Sequence, residues 1–262
     1  MRQVGGGVVR AVVAVTLVAL VSVTGCSDDE GTSDTGGGST TDPSTESTTE
    51  SSPAVEAPDA TTIEEVLALD RPVVLAHAGG ENAHPHSTPF AYGESVTAGV
   101  DILDFDVRLT GDGVLVVHHD EDVDRTTDGT GLVSEMTYEE LHDLDAAYWF
   151  TPDCSACEDQ PADEYVYRGI RTGDVEPPEG YEPDDFAVTS FEEIIEKYPD
   201  HPLNVEIKGS YPADVPAAEE LARILTEAGR LDQAVVTAFD DDLAEAFSEA
   251  APTVEITPGS RP

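Results

Sequence analysis

Lysine is almost missing from this chain. Of its 262 residues only Lys197 and Lys208 carry an ammonium side chain, and the formal charge is -43. So acidic a molecule repels nucleic acid, anionic lipid surfaces and other polyanions, which makes them poor partners and favours a cationic cofactor. Cysteine is scarce as well: three in all, too few for a scaffold built on disulfides. The one long apolar run, residues 11–23, is too short to cross a bilayer comfortably. A glycine-rich dinucleotide turn is also missing, because His77-Ala78-Gly79-Gly80 lacks the third glycine that a doubly wound nucleotide fold needs after its first strand.

The amino-terminal residues have the pattern of a secretion signal, with Arg2 and Arg10 ahead of the apolar run. That run leads into Val23-Thr24-Gly25-Cys26, which resembles the bacterial lipobox. Residues 1–26 are then a lipoprotein signal peptide, Cys26 is the lipidated residue, and the chain is held at the extracytoplasmic face of the cell membrane. An ordinary cleaved signal with a chance cysteine is the alternative. Residues 27–60 are Ser, Thr, Gly, Asp and Glu with almost nothing to bury, the composition of a disordered tether. Residues 61–262 remain as one domain. With Cys26 carrying lipid, Cys154 and Cys157 are left together in an oxidising compartment, and a disulfide is the economical pairing. A zinc half-site would need two further ligands nearby, and none is seen.

Within the domain, apolar runs at 73–76, 102–107, 114–117, 203–207, 234–238 and 253–257 read as buried parallel strands. Helices fall between them. Thr61 or Thr62 starts the first, Thr88 opens another that ends at Gly99, Ser190 with Glu193 forms a capping box, residues 216–228 end at Gly229, and 241–249 make the last. Strand–helix alternation predicts a parallel α/β sheet with right-handed crossovers. The insertion at 148–186 is rich in Pro, Asp and Glu and holds Trp149, Tyr165, Tyr167 and Tyr181. It is either a lid over the organic part of a substrate or a surface elaboration whose aromatics pack on one another.

Four strand ends carry the chemistry: His77-Ala78-Gly79, Asp104-Phe105-Asp106, His118-His119-Asp120 and Glu206-Ile207-Lys208. Side chains alternate along a strand, so Asp104 and Asp106 share one face, Glu206 and Lys208 share another, and His118 points away from His119. If the strands are neighbours in a closed barrel, these groups converge on one mouth, where such barrels place their active sites. A lysine beside Glu206 in a chain that nearly excludes lysine suggests a local need for positive charge.

Taken in order, His77-Ala78-Gly79, Pro85-His86-Ser87-Thr88, Asp104-Phe105-Asp106, His119-Asp120, Arg125-Thr126-Thr127, Gly129-Thr130-Gly131 and Glu206-Ile207-Lys208 resemble the signature of the glycerophosphodiester phosphodiesterases over residues 72–259. The resemblance implies a TIM-type (β/α) barrel of the phosphodiesterase kind, here without its last two strands. It implies metal-dependent hydrolysis of glycerophosphodiesters to glycerol 3-phosphate and an alcohol such as choline. Carried over residue by residue, Asp104, Asp106 and Glu206 are metal ligands, for calcium or magnesium. His77 and His119 share the acid and base roles, and Lys208 stabilises charge on the phosphoryl group. Ala78 stands where the family has an arginine that grips phosphate. His86 replaces a glutamate and is a further candidate ligand, one that would shift preference toward a softer ion. The small-molecule diester is the expected partner, with the membrane reached through the anchor and the chain a monomer. Two other readings stay open: a lipid-anchored phosphodiester-binding protein without turnover, and a phospholipase-type phosphodiesterase acting on intact lipid.

Overall fold

Local capping signals set the helices. In the structure, a computed structural model, residues 57–257 are described, so the expected signal segment, Cys26 and most of the expected tether lie outside the described residues. Helix α1 (Ile63–Ala68) starts at Thr62, whose hydroxyl accepts from the Glu65 N–H while the Glu65 side chain returns to the cap backbone. Helix α2 (Pro89–Thr97) is capped by Thr88 with proline in its first turn, where no N–H is needed. The Ser190–Glu193 capping box opens α4 (Phe191–Lys197). A cap of this kind is worth ~1 kcal/mol.

The sheet forms around β2 (Ile102–Leu109). On one side it pairs in parallel with β1 (Leu75–Ala76) and on the other with β4 (Leu203–Ile207). Beyond β4 follow β5 (Ala234–Thr237) and β6 (Glu255–Ile256), both parallel, joined by α5 (Val215–Glu227) and α6 (Asp241–Ala250). The parallel path is therefore β1-β2-β4-β5-β6. Helix α5 buries Ala217, Ala218, Leu221, Ala222, Ile224 and Leu225 against this sheet, the face that its helical repeat makes apolar. Leu103, Phe105, Val205 and Leu221 are completely or almost completely buried in the same core, each contributing about 1.5–3 kcal/mol of hydrophobic stabilisation.

One expected element runs the other way. Strand β3 (Leu115–Val117) is antiparallel to the end of β2, with Val107 opposite Val117 and Leu109 opposite Leu115. The reason lies in Thr110-Gly111-Asp112-Gly113. Gly113 takes a positive φ of 88°, its N–H donates to Thr110 O at 3.1 Å, and the Thr110 hydroxyl donates to Asp112 Oδ1 at 2.6 Å. So short a link allows a hairpin, whereas a parallel crossover needs a dozen or more residues. The chain thus overshoots the mouth along β2 and comes back down through β3, so His118 and His119 enter from above.

The insertion follows α3 (Tyr138–His142) and is built of turns pinned at their base by Asp145, whose carboxylate accepts from the Gly169 N–H at 2.7 Å and the Ala147 N–H at 3.0 Å. Cys154 and Cys157 form the expected disulfide. Of the two readings of its aromatics, packing on one another is what the structure shows. Tyr167 and Tyr181 lie against Phe90, with ring centroids 5.0 and 4.7 Å away, and Tyr148, Trp149 and Tyr165 surround the Arg168 guanidinium at 4.1, 4.8 and 3.5 Å.

Candidate active site

Strand register brings the acids together. Asp104 is the ladder partner of Asn204, and Asp106 that of Glu206, so alternate residues of β2 and β4 stand side by side at the C-terminal ends of the parallel strands. Lys208, just past β4, is almost buried and sets its ammonium 3.0 Å from Asp106 Oδ1 and 2.7 Å from Glu206 Oε1. The contact to Glu206 is an ion pair outside hydrogen-bond geometry, and Asp106 Oδ2 is buried with no hydrogen-bond partner. Asp104 is otherwise engaged: Asn204 Nδ2 donates to its Oδ1 at 2.5 Å and the Ala78 N–H to its Oδ2 at 3.3 Å. Burial is the main cause that raises the Asp104 pKa; the Asn204 hydrogen bond opposes it and the charge of Asp106 adds to it.

After β1 the backbone turns sharply, with Ala78, Gly79 and Gly80 all at positive φ. A Cβ on Gly79 would stand 2.9 Å from that of Ala91, so this turn fits against α2 only as glycine. The turn presents His77, whose Nδ1 lies 3.0 Å from Glu81 Oε1. The Ala78 methyl is completely buried, so nothing at this position reaches toward a phosphate. His86 is buried too, 2.7 Å from the Ser87 hydroxyl through Nδ1. Burial, reinforced by the Arg125 charge, lowers its pKa to about 3, and it is neutral throughout the working range.

From the hairpin side, the His86 and His119 rings meet edge to face at 5.9 Å. His119 Nδ1 is 2.6 Å from Asp120 Oδ1, and Arg125 holds the other Asp120 oxygen. Burial works to raise the Asp120 pKa, yet the hydrogen bonds from Arg125 and His119 outweigh it and keep the carboxyl below its ordinary value. Both proposed acid–base histidines therefore lean on a carboxylate through Nδ1, which leaves Nε2 for a reacting group. His118 is buried, with Nε2 2.8 Å from the Asp122 carbonyl oxygen, a structural role that agrees with its facing away from His119.

Asp104, Asp106 and Glu206 are hard oxygen donors of the kind calcium and magnesium prefer, and the unmet Asp106 Oδ2 suits a cation. In donor chemistry the residues fit a divalent ion. Among the described residues no three acidic, histidine or cysteine side chains already stand as a ligand set, because Lys208 lies between Asp106 and Glu206 while Asn204 engages Asp104.

Two members of this network, Asn204 and Glu81, were not singled out from the sequence. Each had a signal: Asn204 precedes Glu206 by two residues and so shares its strand face, and Glu81 follows His77 by four.

Parallel strands that carry acids, an ammonium and oriented imidazoles at their C-terminal ends define a TIM-type α/β fold with an acid–base mouth. A profile of the Glycerophosphoryl diester phosphodiesterase family matches residues 77–260, and the chain belongs to that family. A glycerophosphodiester phosphodiesterase of Bacillus subtilis is 30% identical over 155 residues, 59% of this chain and 45% of the relative. One from Caldanaerobacter subterraneus is 46% identical over 78 residues, 30% of this chain and 32% of the relative. Among solved structures, a glycerophosphodiester phosphodiesterase from Agrobacterium tumefaciens superposes with a TM-score of 0.54 at 24% identity, over 70% of this chain and 65% of its own. An Oleispira antarctica phosphodiesterase, solved with the product sn-glycerol-3-phosphate, gives 0.53 at 22% identity over 71% and 64%. At such identities the solved structures establish the barrel-type fold. The chain spans less than half the length of the two curated relatives named above.

Proposed function

We propose that this chain hydrolyses glycerophosphodiesters to glycerol 3-phosphate and an alcohol, with a divalent cation, at the extracytoplasmic face of a membrane to which Cys26 anchors it. The observation that carries the reading is the joint placement of Lys208 with Asp106 and Glu206, flanked by two imidazoles that both rest on carboxylates. A phosphodiester is an anion with a poor leaving group, so its cleavage needs charge neutralisation, a base and an acid.

Each need has a residue. Lys208 meets the negative charge that grows on the phosphoryl oxygens, in a site where burial strengthens the interaction. One of His77 and His119 takes a proton from water or from the neighbouring glycerol hydroxyl, and the other gives one to the departing alcohol. Glu81 and Asp120 hold the imidazoles for these transfers. Asp104, Asp106 and Glu206 would hold the cation, which when bound supplies Lewis-acid stabilisation of the phosphate. Phe239, 64% exposed and 5.8 Å from the Lys208 ammonium, offers an apolar surface to the organic part of the substrate.

A phosphodiester-binding protein without turnover is the second reading, and the buried Ala78 methyl in place of a phosphate-gripping arginine favours it. Glycerophosphocholine separates the two. The expected result is release of glycerol 3-phosphate that a chelator abolishes and that His77→Ala and His119→Ala each reduce by about 10²–10⁴-fold. Tight binding of the diester without release under every divalent cation would establish the second reading instead, and faster cleavage of micellar lipid than of the soluble diester would point to a phospholipase.

A further inference from the structure

We infer that Glu81 is the positioning residue of His77, a part for which its four-residue spacing from that histidine is the only hint in the sequence. This rests on the proposed acid–base role of His77. Surface Glu–His pairs one helical turn apart are common and worth little. Three observations separate this one from them. The turn that joins the two residues is fixed: its backbone is left-handed from Ala78 to Gly80, and the Gly80 N–H donates to His77 O at 2.8 Å. Glu81 is itself only 29% exposed in its side chain, against 61% for His77, so the carboxylate is the better-anchored partner. Its second oxygen is 3.7 Å from Nε2 of the buried, neutral His86, which the Ser87 hydroxyl holds from the other side.

A carboxylate cannot donate, so the 3.0 Å contact requires the His77 proton on Nδ1. That tautomer leaves the Nε2 lone pair at the mouth, the form a general base needs. Glu81 thereby sets both the ring angle and the tautomer of His77. It stands to His77 as Asp120 stands to His119, with one difference: Asp120 is held by a hydrogen bond from Arg125, whereas the second oxygen of Glu81 only packs near His86, beyond hydrogen-bond distance. The insertion supports the same loop, since the Asp153 N–H donates to Asn82 O at 2.9 Å. His86, which replaces the glutamate of the family signature, acquires a use in this arrangement as the wall behind Glu81.

The test combines a spectroscopic and a kinetic readout on the full chain. Imidazole nitrogen shifts of His77, followed to the neutral end of a pH series, report its tautomer. We expect the proton on Nδ1 in the wild type and in Glu81→Asp, and its transfer to Nε2 in Glu81→Leu, which has no acceptor at this position. With glycerophosphocholine, Glu81→Leu should lower kcat about 10-fold or more with KM within about twofold, Glu81→Asp should recover much of the loss, and in a His77→Ala background Glu81→Leu should change nothing further. An unchanged tautomer in Glu81→Leu, or the same kinetic loss with and without His77, would overturn the inference. Should the wild type release no product, the reading of the chain as an enzyme fails, while the tautomer measurement still decides the part Glu81 plays.

Discussion

The mouth of the parallel sheet and the insertion at 148–186 are both dense in side chains that bind ligands, yet they are built in opposite ways. At the mouth polar groups are brought together without being fully satisfied: Asp106 Oδ2 has no hydrogen-bond partner, and two imidazoles keep one nitrogen each after their carboxylates are met. In the insertion the aromatics are used up on their neighbours, with Arg168 surrounded by Tyr148, Trp149 and Tyr165 and bonded through Nε to Tyr148 O at 2.8 Å. A box of aromatic rings is the standard receptor for a quaternary ammonium group. Here the cation is part of the chain. Arg168 Nη2 is itself buried without a hydrogen-bond partner, so neither residue type nor one unmet polar atom marks a site; convergence of acids, an ammonium and imidazoles does.

Substitution can break this contrast, and the largest effect should come from Lys208. Replacing it by methionine should cost about 10²–10³-fold in kcat, as for loss of one preorganised charge contact. A kcat within a few-fold of wild type, measured on glycerophosphocholine, would mean that the ammonium serves only to neutralise Asp106 and Glu206. Arg168→Ala should do the reverse, lowering unfolding free energy by ~1–3 kcal/mol through lost cation–π contacts while kcat stays put. Urea denaturation beside the same assay checks both, and a variant with full stability but altered head-group preference would place the insertion in the site after all.

A smaller effect sharpens the account of the mouth itself. Folded His86 resists protonation down to about pH 3, whereas in the unfolded chain it takes a proton near pH 6.5. Between these values the unfolded state binds the extra proton, so stability falls as pH falls, by at most ~1.4 kcal/mol per pH unit from this one group. His86→Gln should flatten the pH dependence of the urea midpoint between pH 6 and 4 relative to wild type. Parallel curves for the two proteins would show that His86 is solvated and free to titrate.

Much of this was legible in the residues because the signals were local. Thr62, Thr88 and the Ser190–Glu193 pair cap helices where side-chain chemistry says they should, and alternation along β2 and β4 put Asp104 and Asp106, then Glu206 and Lys208, on common faces. The direction of β3 is not legible in its own residues, because a short apolar run looks alike in either direction; the Asp112-Gly113 turn and the short link are the stronger signal. The fate of the insertion aromatics was not legible, since which ring meets Arg168 depends on contacts between residues 148 and 168 that no periodicity encodes. Glu81 is not legible for another reason: in so acidic a chain one more carboxylate carries little information, and it is the fixed turn and the 3.0 Å contact to His77 that set it apart.

The most direct measurement is a crystal structure of this chain with sn-glycerol 3-phosphate and calcium bound. The account predicts phosphate oxygens at hydrogen-bond distance from Lys208, the cation on Asp104, Asp106 and Glu206, and the Nε2 atoms of His77 and His119 facing the ester. A phosphate seated in another cavity, with these side chains keeping only each other for company, would contradict it.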